Sequence, residues 1–180
     1  IVPAATELTP RSQYWAWGEE ETGTNPAWDE VPAERRKDLA RRMAIYAAMV
    51  DAMDRNIGRL VTDLADRKEL ENTLVIFLSD NGACAEWNPF GFDTQTGPNN
   101  ILHRGEDLER MGGPGTYHSA GSGWANASNT PWRLYKHYSH EGGISGPGIV
   151  HWPAGLKRRG VVDDRPAHLI DLMPTLLEAA

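Results

Sequence analysis

Asp80, Asn81 and Gly82 close the apolar run Thr73-Leu74-Val75-Ile76-Phe77-Leu78. A carboxylate and an amide side by side at a strand end offer hard oxygen ligands of the kind that calcium and magnesium take. Expected contacts are about 2.3–2.6 Å for calcium and about 2.0–2.1 Å for magnesium. A glycine beside them lets the backbone pass close to an ion. Asp, Asn and Gly each also favour turns, so taken alone the triplet is first of all a turn. Lys136 is the second candidate. If Trp132 to His140 is extended, Lys136 shares a face with Trp132, Leu134, Tyr138 and His140. A lysine placed so either snorkels to water or is a fixed cation aimed at an anionic substrate, and spacing alone leaves both open. His140, beside Glu141-Gly142-Gly143, could reach the same site. His103, His118 and His137 stand in no motif, whereas His151 and His168 sit in apolar segments that suit hydrogen-bonded structural histidines.

These groups need elements to hold them. From about Ala33 to Lys68, Leu39, Met43, Tyr46, Val50, Met53, Ile57, Leu60 and Leu64 recur at steps of three and four, which predicts one apolar helix face. Arg35, Arg36, Arg41, Arg42, Asp51, Asp54, Arg55, Asp63 and Asp66 fall mainly off that stripe and read as its solvated side. A polar turn over residues 69 to 72 delivers the chain into a strand over 73 to 79, whose lack of alternation predicts burial on both faces. Helix followed by buried strand implies an α/β domain with a mostly parallel sheet flanked by helices. The strand would be interior, and the helix would pack through Leu39, Val50, Ile57 and Leu64. Ligands of such sheets gather beyond the carboxyl ends of strands, where Asp80 and Asn81 must lie.

Residues 85–129 are rich in Gly, Asn, Pro and Ser, with one short helix expected around Asn100 to Met111. Trp87, Phe90, Phe92, Tyr117 and Trp124 are too many aromatics for a disordered linker. The segment reads as a long substrate-side loop region or as a surface excursion pinned by aromatic anchors. Near the carboxyl end, Asp171 and Pro174 have the chemistry of a helix start.

The chain has 180 residues, the size of one domain or part of one. Residue 1 is Ile, and the helical pattern of His168 to Ala180 runs on without a stop signal, so a fragment of a longer chain is expected. Lys and Arg number 18 against 25 Asp and Glu, a balance of −7 that argues against nucleic-acid partners. No apolar run approaches the roughly 20 residues of a membrane span. With Cys84 the one cysteine, there is neither an internal disulfide nor a cysteine-based zinc cluster.

Four ordered stretches, YAAMVDAMDRNIGRLV (46–61), LVIFLSDNGA (74–83), NTPWRLYKHYSHEGGISGPGIVHWPAGL (129–156) and HLIDLMPTLLEAA (168–180), resemble the sulfatases of the alkaline-phosphatase-like superfamily, arylsulfatase type. The resemblance covers about residues 33–180. It implies that Asp80 and Asn81 are calcium ligands, with magnesium the lesser alternative. It also implies that Lys136, five residues before Glu141, contacts the sulfate group of an aryl or carbohydrate sulfate ester. Relatives that act on phosphate commonly have Asp-His at this strand end. Asn81 supplies a neutral oxygen instead, which suits the lower charge of a sulfate monoester. The family nucleophile is a formylglycine made by dedicated machinery from the Cys or Ser of a C/S-x-P-x-R motif. No such motif occurs in these residues, and Cys84 cannot stand in, because Glu86 and Asn88 hold the places of Pro and Arg. The resemblance thus implies the second half of a catalytic domain, inactive by itself, whose parent is a sulfuric ester hydrolase in the periplasm or outside the cell. A catalytically inactive anion-binding protein and a phosphate-ester hydrolase are the alternatives.

Overall fold

The computed structural model describes residues 7, 9–11, 13–15, 22–86, 89–95 and 99–179. Trp87 and Asn88, on which parts of the sequence reading rest, lie outside them. Strands β1 (Gln13–Trp15) and β2 (Thr22–Thr24) pair antiparallel, Gln13 opposite Thr24 and Trp15 opposite Thr22. The long helix α1 (Ala33–Asp66) follows Pro32, with Glu34 in its first turn, where a carboxylate suits the positive end of the helix. It stops two residues short of the predicted Lys68. The reason is a paired closure: Lys68 N–H bonds to Ala65 O at 2.9 Å and Glu69 N–H to Leu64 O at 2.9 Å, with Lys68 itself at φ 61°. That is the hydrogen-bond pattern of a left-handed helix cap, here built on lysine instead of glycine.

A 3₁₀ turn (Leu70–Asn72) leads into β3 (Val75–Leu78). Then come α2 (Gly105–Arg110), α3 (Ser122–Ser128), α4 (Glu141–Ile144) and β4 (Gly148–His151). The last helix, α5 (Leu172–Ala179), is entered through a 3₁₀ turn, Leu169–Asp171. As the sequence suggested, Asp171 starts it: His168 N–H donates to Asp171 Oδ2 at 2.9 Å, while Ile170 N–H donates to His168 Nδ1 at 3.2 Å. Pro174 sits in the first turn of α5, where no intrahelical N–H is needed. His168 is therefore a capping residue, whereas His151 is exposed on β4.

The sheet departs from expectation. Among the described residues both sheets are two-stranded and antiparallel, and β3 lies beside β4 with Val75 opposite His151 and Leu78 opposite Gly148. The parallel neighbours implied by helix-then-strand order are not among these residues. None of the described residues between β3 and β4 joins this sheet, and β4 runs in the opposite direction to β3. Nor is the strand enclosed on both faces: Phe77, Ile149 and Val150 are exposed.

The helix stripe likewise divides. Over its first three turns α1 packs on residues 90–128: Leu39 is buried, Trp124 Nε1 donates to Leu39 O at 2.9 Å, and Arg41 Nη2 reaches Met111 O at 2.9 Å. Farther along, Val50, Met53 and Leu60 face out, and Ile57 and Leu64 are half-buried. The expected packing through Leu39, Val50, Ile57 and Leu64 therefore holds fully at Leu39 only.

Candidate functional site

Two polar centres stand on this frame. The first grows from α1. Arg42, assigned by its position to the solvated face, is 2% exposed. Its Nε binds Asp38 Oδ2 at 2.9 Å, and its Nη2 lies 2.9 and 2.8 Å from the two oxygens of Asp93. Nη1 donates to the carbonyls of Phe92 and Ser119 at 3.2 and 3.1 Å. Arg35 adds a second cation at 3.2 Å from Asp38. Ile101 N–H donates to Asp93 Oδ2 at 2.6 Å, while His103 Nε2 and His118 Nδ1 stand 3.2 and 2.7 Å from Asp93 Oδ1. Burial pushes the Asp93 carboxyl up. The hydrogen bonds from Arg42, then Ile101 and His118, outweigh it and hold the pKa at about 2, below its ordinary 3.8.

Asp93, His103 and His118 are, among the described residues, a group whose ligand atoms lie close enough to hold a metal ion. Asp93 already accepts from Arg42, Ile101 and both histidines, so a cation would have to displace donors beside a guanidinium. His118 Nε2, on the far side of its ring, is buried without a partner. Were Nδ1 to bind a metal, that nitrogen would carry a buried, unsatisfied proton. The group reads as the structural centre that binds the 90–119 segment to α1. Sequence reasoning missed it because neither histidine stands in a motif.

The second centre contains the predicted site residues. Asp80 and Asn81 follow β3 directly. Asp80 is exposed and Asn81 half-buried, and neither side chain makes a hydrogen bond or ion pair with the described residues. The next residues are tied to segments far along the chain: Gly82 N–H to Gly143 O at 3.0 Å, and Lys136 N–H to Ala83 O at 3.1 Å. A Cβ on Gly82 would stand 1.7 Å from Gly142 O, and one on Gly142 would stand 2.0 Å from Leu134 O. The two glycine turns therefore meet backbone against backbone, which no side chain would permit.

Lys136 is not on a strand. Leu134 and His137 have φ of 64° and 84°, and Tyr138 N–H bonds back to Tyr135 O at 3.2 Å, so residues 132–140 form successive turns and the alternating faces predicted for them do not exist. Burial of Leu134 and Tyr135, the latter against Ala85 and Ala125, fixes these turns from beneath. Lys136 Nζ lies 3.9 Å from Glu86 Oε1, and His137 Nε2 lies 3.7 Å from the same oxygen, both in solvent-accessible positions. Glu86 is thus a third charge at this centre that the sequence did not single out as functional. His140 precedes α4 as its N-cap, exposed, with its ring 6.4 Å from that of Tyr138. Cys84 is an exposed loop thiol whose pKa is raised, first by partial desolvation, which is the opposite of what a nucleophile needs.

The described helices include none long and apolar enough to cross a membrane. Compared with known proteins, residues 11–180 match the family described as Sulfatase. An uncharacterized sulfatase of Schizosaccharomyces pombe is 38% identical over 154 residues, covering 86% of this chain and 27% of that protein. An arylsulfatase of Klebsiella aerogenes is 36% identical over 155 residues, 85% of this chain and 32% of its own length. Mouse steryl-sulfatase is 33% identical over 135 residues, 75% of this chain and 17% of its length. The chain thus spans a third or less of these curated relatives.

Proposed function

The chain belongs to the sulfatase family, with the alkaline-phosphatase-like fold which that membership implies, and from this premise we propose that the whole protein hydrolyses a sulfate monoester, aryl or carbohydrate. The observation that carries the reading is the junction of residues 82–83 with 136 and 143. It brings a strand-end Asp-Asn pair and a lysine more than fifty residues away onto one hydrogen-bonded patch.

In this proposal Asp80 and Asn81 hold a single hard cation, calcium. Their oxygens have no other described partner, and Gly82 keeps the backbone low beside them. When bound, such an ion supplies positive charge that stabilises oxygen charge developing on the ester and on its attacking group. Lys136 turns its ammonium from the long Glu86 contact toward the sulfate oxygens and balances charge there as the S–O bond breaks. His140 is a secondary contact to the same anion. The formylglycine nucleophile and the remaining ligands belong to parts of the protein outside these residues, where the exposed Phe77, Ile149 and Val150 find cover in a larger, mostly parallel sheet. Residues 85–129 wall the substrate side.

The test is a pair of substitutions in the whole protein. Asp80→Ala lowers metal occupancy, and added calcium restores part of the rate. Lys136→Ala leaves metal content at the parent level and lowers kcat by about 10²–10³ on an aryl sulfate. Parent-like turnover of Lys136→Ala with normal metal would reduce the lysine to a surface residue and end the assignment.

A further inference from the structure

We propose that Asn129 is the positioning residue of this site: one side-chain amide that sets the Asp80-Asn81 turn against the Lys136 turn. The inference rests on the reading of Asp80 and Asn81 as cation ligands. The backbone of Asn129 is fixed first, at the carboxyl end of α3, where its N–H bonds to Ala125 O at 3.2 Å and its carbonyl accepts from Trp132 N–H at 2.8 Å. From this anchored point the half-buried side chain enters the seam between two segments. Its Oδ1 accepts from Ala83 N–H at 3.1 Å, and its Nδ2 donates to Leu134 O at 2.9 Å and to Gly142 O at 2.6 Å.

The amide orientation follows from these partners, since one is a donor and two are acceptors. No other side chain of this size supplies one acceptor and two donors. An aspartate would keep the Ala83 bond and turn lone pairs on both carbonyls. Each partner is a neighbour of a group with a proposed role: Ala83 follows Asn81 by two residues, Leu134 precedes Lys136 by two, and Gly142 follows His140 by two. The place a Cβ of Gly82 would take is 2.8 Å from Asn129 Nδ2, so the amide lies directly under the turn. Asn129 makes no described contact with the side chains of Asp80, Asn81 or Lys136 and acts through the backbone that carries them. Outer partners of this kind are worth about 10- to 100-fold in metal affinity when removed.

The experiment uses the whole protein, stripped by chelator and titrated with calcium ion in a calorimeter, alongside thermal denaturation of the metal-free form. Asn129→Ala and the isosteric Asn129→Asp weaken calcium binding about 10- to 100-fold in the folded protein. Leu39→Ala, a core truncation far from the turn in sequence, lowers the melting temperature and leaves calcium affinity at the parent value. If Asn129→Ala does not accumulate folded, Asn129→Asp, which keeps shape and volume, carries the test. Parent-like calcium affinity in folded Asn129→Asp overturns the inference, as does a loss no greater than that caused by Leu39→Ala at equal loss of melting temperature. Asp80→Ala distinguishes the failures: calcium binding unchanged by it overturns the cation-site reading itself, and this inference with it.

Discussion

The Arg42 centre and the Lys136 centre are both charged, yet they treat charge in opposite ways. Around Arg42 every ion has its counter-ion inside the protein: Asp38 and Asp93 are fully buried, and two arginines face them through side chains. Around Lys136 the joining is done by backbone and by one amide, while Asp80 is exposed and Lys136 and Glu86 stay solvent-accessible across a long 3.9 Å contact. Buried charge that is completed within the fold holds segments together and has no capacity left for a ligand. Exposed charge on a backbone-built platform contributes little to stability and remains available for chemistry.

This contrast can be broken first at Arg42. Arg42→Met leaves two carboxylates buried without their shared cation and is expected to cost about 3–5 kcal/mol in chemical denaturation of the whole protein, with ion binding at the proposed Asp80-Asn81 site changed far less than stability. Gly82→Ala should do the reverse. Its methyl meets Gly142 O, forcing the two turns apart; the expected stability loss is about 1–3 kcal/mol, accompanied by a disproportionate loss of the proposed activity. If Gly82→Ala were as stable and active as the parent, the backbone junction would not be the support of the site.

Acid sharpens the comparison at a smaller scale. The Asp93 carboxyl is held at about 2 in the folded protein against its ordinary 3.8, so its contribution is fully present above 3.8 and is lost as pH falls through about 2. It amounts to about 2 kcal/mol. Comparing parent and Asp93→Asn by denaturation from pH 5 to pH 2 should show the stability gap narrowing toward the acid end. The smallest effect belongs to Asp163, exposed between Arg158 and Arg165, whose carboxyl is held below the usual range by the Arg165 hydrogen bonds. Because water and salt screen such a pair, Asp163→Asn should leave the melting temperature unchanged.

What could be read from residues alone follows the same division. The period of α1 named its start, and Lys68 moved its end only by taking a left-handed backbone. The apolar run named β3, and Asp171 with Pro174 named the start of α5. Those are local signals. Arg42 was misplaced because a buried ion pair has no hydrophobic signature, and its partners at Phe92, Asp93, Ile101 and Ser119 lie fifty residues or more downstream. Lys136 is legible through its neighbouring motif residues, but the extended backbone expected for residues 132–140 is a run of turns. The turns at Leu134 and His137 depend on tertiary hydrogen bonds, Lys136 N–H to the Ala83 carbonyl and the Asn129 amide to the Leu134 carbonyl, that no spacing rule anticipates. Asn129 itself was one amide in a segment full of small polar residues.

The span of the Arg42 contacts carries a consequence for how the polypeptide matures. Arg42 emerges from the ribosome long before Ser119, whose carbonyl it binds 77 positions later. At about 5–20 residues per second of synthesis, several seconds pass in which its guanidinium has only Asp38, one helical turn away, as a companion. Closing that loop afterwards carries an entropic cost that grows only slowly with length. The docking of segment 90–119 onto α1 is therefore a post-helical event in the life of a nascent chain, and protection of the Ile101 amide against hydrogen exchange marks the moment it is complete.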